Sequence, residues 1–170
     1  MNREILKEIL GDEYIVTEAK DGTEAIELLK KEEDSFSALL LDLNMPETNG
    51  YQVLEWMNEE YVIERIPVIV ILAEDNHENI EKAYELGAID YFTHPFDMFE
   101  IQKRVAGTLN LYKKYENLII ASKQVIYVCN SDYSRILYAS DGFCHKFNVE
   151  RNNPYNVSIA RGISFYIDEN

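Results

Sequence analysis

Two short runs of apolar residues, Ala38–Leu41 and Val68–Leu72, set the narrowest limits on how this chain can fold. Each is too short for a stable helix, and neither alternates with polar residues as a strand with one wet face would. Such runs suit strands buried on both faces, which belong to parallel sheets covered by helices on either side. A third short run, Ile89–Phe92, follows the second after a segment of helical length.

The stretches between these runs carry helical periodicity. Ile5, Ile9 and Leu10 precede Gly11, while Ala25, Ile26, Leu28 and Leu29 follow Gly22. Val53, Leu54 and Met57 follow the turn Pro46–Gly50, and Asn79 to Leu86 stops at Gly87. His94-Pro95 forbids helix at that point. Asp97 and Glu100 then stand at capping-box spacing, with Phe96 and Ile101 placed as a hydrophobic staple, and open a last helix from about Met98 to about Leu118. Tyr14-Ile15-Val16 is one further β-rich run. Strands alternating with helices of this length predict an α/β chain with a doubly wound parallel sheet. Ligand chemistry in such sheets gathers at the carboxyl ends of the strands. Asp42, Leu72-Ala73 and Thr93-His94 occupy three such ends and are expected to face one crevice.

Charge divides the chain. Residues 1–115 hold 25 Asp or Glu against 11 Lys or Arg, a net of −14 out of −15 for all 170 residues. Residues 116–170 are close to neutral, which predicts an acidic unit over 1–115 and a separate tail over 116–170. An acidic surface repels phosphate backbones and anionic lipid, so neither nucleic acid nor membrane is expected as a partner. Two cysteines, Cys129 and Cys144, form no disulfide framework, and with His145 they lack the spacing of a metal site. Two reduced core thiols in a cytoplasmic protein are the expectation. No signal peptide and no membrane-length apolar run is read. P-loop, dinucleotide fingerprint and Ser-His-Asp spacing are all missing, so no enzyme activity is expected.

Four stretches in order, AKDGTEAIELL, LLLDLNMPETNG, IPVIVILAED and GAIDYFTHPF, resemble the receiver domain of two-component response regulators over roughly residues 1–115. The resemblance implies a flavodoxin-like doubly wound sheet and a phosphorelay role, with a sensor histidine kinase as partner. It makes Asp42 the phosphoacceptor, with Asn44, Leu72, Ala73 and His94 as phosphate-site neighbours and Tyr91 as the aromatic switch position. It also implies Mg2+ at Asp42 and the carbonyl of Asn44. Departures accompany the match: the sequence begins at the first helix, without the family's first strand and its acidic pair. Leu72 stands where the family has Ser or Thr, and His94 stands where it has Lys. Impaired phosphorylation is therefore expected. A phosphorylation-independent interaction or dimerisation module, including a homodimer, remains the alternative, as does a fragment of a longer receiver protein.

A missing central strand would leave unpaired edges and an apolar trough. Gln124–Cys129 (QVIYVC) is one segment that could fill it, in the same chain or a swapped dimer. In the short β-rich tail, QVIYVCNSDYSRILYASDGFCHKFNV resembles the opening of a PAS sensor domain. NVSIARGISFYIDEN resembles a late strand of diguanylate cyclase domains, whose GGDEF signature is absent. A locally packed hairpin is the alternative for this region.

Overall fold

A computed structural model describes residues 3–32, 35–74, 76–95, 97–122, 127–129 and 136–147. The three predicted apolar runs form a parallel sheet of β1 (Leu39–Asp42), β2 (Val68–Leu72) and β3 (Asp90–Thr93), in the order β1-β2-β3. Register is even throughout: Leu39 lies beside Val68, Asp42 beside Ile71, and Leu72 beside Thr93. Five consecutive residues of β2 are buried, as a strand covered on both faces requires.

Alternation along β2 sorts those residues between two cores. Ile69 and Ile71 pack with Leu6, Ile9 and Leu10 of α1 (Arg3–Leu10) and with Ile101 and Val105 of α5 (Met98–Ile120). Val68, Val70 and Leu72 pack on the other face with Leu29 of α2 (Gly22–Glu32), with Val53, Leu54 and Met57 of α3 (Gly50–Glu59), and with Ile80 and Ala83 of α4 (His77–Glu85). Fully burying side chains of this size contributes roughly 1.5–3 kcal/mol each, so β2 anchors both layers.

Helix ends follow the local sequence. Asn49 and Gln52 complete a capping box on α3, Asn76 caps α4, and Asp97 accepts from the Glu100 amide at the start of α5. Phe96, the proposed staple residue, lies outside the described residues. Gly87 sits at φ 91 beyond α4, a left-handed conformation that glycine adopts without steric cost.

Tyr14–Val16 departs from its expected role as a strand. It forms no strand: the Tyr14 amide turns back to the Leu10 carbonyl, and β1 is the terminal strand on that side of the described sheet. Tyr14 and Val16 still turn inward against the α1/α5 layer, leaving Ile15 fully exposed.

The chain divides into two compact units, residues 1–110 and 111–170, with the division inside α5. In the second unit β4 (Tyr127–Cys129) pairs antiparallel with β5 (Ile136–Ala139), followed by α6 (Asp141–Phe147). The Ser140 hydroxyl accepts from the Phe143 amide and caps α6, and Phe143 and Cys144 are buried. The pairing of Tyr127–Cys129 with β5 corrects the expectation that QVIYVC fills the gap beside β1. These three residues sit at the edge of a separate sheet, and a hairpin partner close in sequence wins over a distant edge because its closure costs less entropy.

One position tests how tightly the sheet and α3 approach. A Cβ on Gly50 would lie 2.5 Å from the carbonyl oxygen of Asp42 and 2.7 Å from Cα of Leu43, both backbone atoms. Gly50→Ala should destabilise the chain by about 1–3 kcal/mol in denaturant unfolding. An unchanged midpoint would show that α3 shifts without cost.

Candidate functional site

Asp42 is the last residue of β1, and its carboxylate is half-buried at the carboxyl edge of the sheet. Its Oδ1 accepts from the backbone amide of Asn44 at 2.9 Å, a local turn that holds the side chain against the loop. That loop is rigidly framed. The Leu43 amide donates to the Ile71 carbonyl, and the Gly50 amide returns to the Leu43 carbonyl. Pro46 restricts one backbone angle, Glu47 takes φ 62, and the Asn49–Gln52 capping box closes the loop into α3. A non-glycine residue in the left-handed region costs on the order of 1–3 kcal/mol, so the frame around it overrides a local preference.

Parallel register places the remaining predicted residues along the same edge. Leu72 ends β2, Ala73 follows it, and the His94 amide donates to the Leu72 carbonyl at 3.3 Å. Ala73 and His94 are exposed, whereas Leu72 is buried in the core on the α3 side. Leu72 therefore presents only its backbone to the edge, and its side chain offers no donor to an anion.

Tyr91 lies on β3 among polar partners. Its ring meets the Tyr84 ring edge to face at 6.2 Å, and its carbonyl accepts from Arg104. Arg104 also binds Asp90 at 2.6 Å and Glu100 at 2.7 Å. Burial pulls the Arg104 guanidinium down, but the Asp90 and Glu100 carboxylates outweigh it and hold it above its ordinary range. Burial, reinforced by Asp90, pushes the Tyr84 phenol up. This network ties α5 to β3 at the end of α4.

A second acidic residue near Asp42 is easily missed in the sequence. Asp21, in the AKDGTE stretch, is buried; its Oδ1 caps α2 by accepting from the Glu24 amide, while Glu24 accepts from the Lys20 amide. The signal was an Asp three residues before a Glu at a helix start, which reads first as a cap. Both Asp21 and Asp42 line a cavity of about 650 Å3 that runs along the outer edge of β1. Its walls are Leu6, Leu10 and Val105 on one side and Ala25, Leu28 and Leu29 on the other. Segment 14–20 forms the far rim, held to α1 by the Lys7–Glu18 ion pair at 2.7 Å and by Arg3 donating to the Ala19 carbonyl. Among the described residues, no three or more His, Cys, Asp or Glu side chains gather as a cation site.

Three parallel strands between two helical layers, with a carboxylate ending the first, define a flavodoxin-like α/β module. The chain belongs to the response regulator receiver domain family, whose family model matches residues 1–106. It is 32% identical over 120 residues to the transcriptional regulatory protein CiaR of Streptococcus pneumoniae, covering 70% of this chain and 52% of that protein. It thus spans about half the length of the curated relatives it matches. Among solved structures, it is similar to the signal receiver domain of a signal transduction histidine kinase from Syntrophus aciditrophicus. That match has 27% identity and a TM-score of 0.59, covering 70% of this chain and 89% of that one. The receiver domain of sensor histidine kinase PA1611 from Pseudomonas aeruginosa PAO1 shares the fold at 24% identity and a TM-score of 0.58, covering 64% and 88% of the two chains. That protein holds magnesium in its active-site cleft. This chain is therefore a signalling receiver of two-component type. None of its described helices is long and apolar enough to cross a membrane.

The rim is the part of this site that should respond to acid. A hydrogen bond from Lys7 holds the Glu18 carboxyl below its ordinary value of 4.5, against a smaller opposing effect of desolvation. A depressed carboxyl contributes stability above its unfolded value and loses it as pH falls through the folded value. Amide exchange in residues 14–20 should therefore quicken, relative to the core, as pH drops below the ordinary carboxylate range. Lys7→Ala should produce the same local loosening at neutral pH, and equal protection in both proteins would contradict this.

Proposed function

We propose that this chain acts as a response regulator receiver in a two-component phosphorelay, with Asp42 as phosphoacceptor and with weakened phosphoryl chemistry. The observation that carries the reading is the Asp42 carboxylate, held by the Asn44 amide at the carboxyl end of the half-buried strand β1. A carboxylate oxygen there attacks phosphorus in line as the bond to the donor nitrogen breaks, giving an acyl phosphate on Asp42. The exposed positions of Ala73 and His94 on the same edge support their role as neighbours of the transferred group. Tyr91, braced by Tyr84 and Arg104, is suited to report the change to the surface formed by α4, β3 and α5.

Weakening follows from what stands around the nucleophile. Leu72 brings no hydroxyl, and an imidazole, His94, stands where the family has the ammonium of a lysine. Asp42 and the Asn44 carbonyl supply two oxygens, whereas Mg2+ prefers six in an octahedron, so these residues alone do not fit that ion. A phosphoryl group in transfer depends on such fixed charges and donors, and losing one commonly costs about 10²–10³ in rate.

A sensor histidine kinase is the natural donor and another signalling protein the natural target, since a net charge of −15 disfavours direct contact with nucleic acid. The module works by binding and switching, not by turnover of a substrate. We assign residues 1–115 to the receiver and 116–170 to a tail whose order β4, β5, α6 supports the opening of a PAS-like sensor unit. The second reading, a docking platform independent of phosphate, is favoured by the buried, donor-free Leu72 side chain.

Intact mass after incubation with acetyl phosphate and magnesium tests the choice. The wild-type chain should gain one phosphoryl group slowly, Asp42→Asn none, and Leu72→Thr with His94→Lys should gain it about tenfold faster or more. No phosphoryl group on any variant would favour the platform.

A further inference from the structure

The cavity beside β1 exposes backbone groups that the described residues leave unused. It lies wholly within the first compact unit, between Arg3 and Leu109. β1 bonds to β2 through the Leu39 amide to the Pro67 carbonyl and the Leu43 amide to the Ile71 carbonyl. Successive residues of a strand direct their backbone groups to opposite sides. Leu40 and Asp42 therefore turn their amides away from β2, toward the cavity of about 650 Å3. Among the described residues, neither amide donates a hydrogen bond. The walls are apolar, with Leu6, Leu10 and Val105 on one face and Ala25, Leu28 and Leu29 on the other. Segment 14–17 lines the far side and forms no strand. A slot with one free hydrogen-bonding edge and two apolar walls selects an extended backbone with apolar side chains on both faces.

Charge narrows the choice of occupant. Four carboxylates line the cavity, those of Glu13, Glu18, Asp21 and Asp42, against two cations, Arg3 and Lys20. Two of the four belong to one end. Asp42 closes β1, and Asp21 stands two residues before Thr23, whose hydroxyl lies 2.8 Å from that of Thr48 in the loop after Asp42. Lys20 reaches Asp21 only at 3.9 Å, and Asp42 forms no ion pair among the described residues. A second copy would bring another acidic unit, with a net charge of −14 over residues 1–115, against this edge.

We infer that the free edge of β1 docks an extended segment of a different, basic protein. The segment has about five apolar residues and carries Lys or Arg at the end that meets Asp21 and Asp42. Five residues in a strand span about 17 Å, enough to cover the four residues of β1. Carbonyl groups of the incoming strand accept from the Leu40 and Asp42 amides. Its side chains enter the two apolar walls by turns, and its cation answers the Asp42 carboxylate. The inference concerns the sheet edge and stands whether or not Asp42 accepts a phosphoryl group.

Hydrogen exchange of the full chain tests it, read at the Leu40 and Asp42 amides with Val70 as a core reference. The probe is the peptide acetyl-Lys-Val-Ile-Val-Ile-Val-Lys-amide. Without peptide, both edge amides should exchange much faster than Val70. At saturation the peptide should slow them at least tenfold and leave Val70 unchanged. The same peptide with Glu at both ends should need about tenfold more for equal protection, and one with Pro at the central Val should give none. No protection by the Lys-flanked peptide, or equal protection by the Glu- or Pro-containing one, overturns the inference. Edge amides already protected in the chain alone also overturn it, because the edge would then be covered without a partner.

Discussion

Burial of β2 on both faces is the constraint from which the rest of this molecule follows. Ile69 and Ile71 bind the α1/α5 layer, while Val68, Val70 and Leu72 bind the layer of α2, α3 and α4. One five-residue strand is thus the shared floor of two cores. Its parallel ladders to β1 and β3 then determine which residues meet at the carboxyl edge. Asp42 and His94 share that edge because register carries them there, with no direct bond between them needed.

The same constraint explains the fate of the family's hydroxyl position. A strand buried on both faces sends alternate side chains into opposite cores, and Leu72 goes into the α3 side. A leucine there gains packing, whereas a threonine would need a polar partner or a ligand at the edge. The Leu72 side chain thus contributes apolar burial and offers no hydroxyl at the edge. His94, by contrast, is exposed and carries no such packing role. The two departures from the family pattern have different physical meanings, although they flank the same carboxylate.

Much of the fold was readable from short patterns. VIVIL declared a strand buried on both faces, ALLL declared a strand that is only half-buried, and Asn49-x-x-Gln52 and Asp97-x-x-Glu100 declared helix starts. Asp42 was readable because a lone carboxylate ended an apolar run before a Pro-containing turn. Less was legible where pairing decided the outcome. Tyr14–Val16 has strand composition, but composition cannot supply the neighbour that makes a strand. Tyr127–Cys129 could have joined either sheet, and the nearby hairpin partner took it. Asp21 was hidden by its own local role, since a capping aspartate looks the same whether or not a cavity opens beside it.

The uneven charge of the chain has a further consequence in solution. An open strand edge invites the edge of another copy, and such pairing is the first step of aggregation. Here the unit that bears the open edge also holds nearly all of the net charge, −14 over residues 1–115. Mutual repulsion therefore keeps two copies from approaching edge to edge. It works over a screening length of about 8 Å at physiological ionic strength and about 3 Å at 1 M. Salt thus acts on this molecule as a colloidal control, and concentrated electrolyte removes the barrier that holds its exposed edges apart.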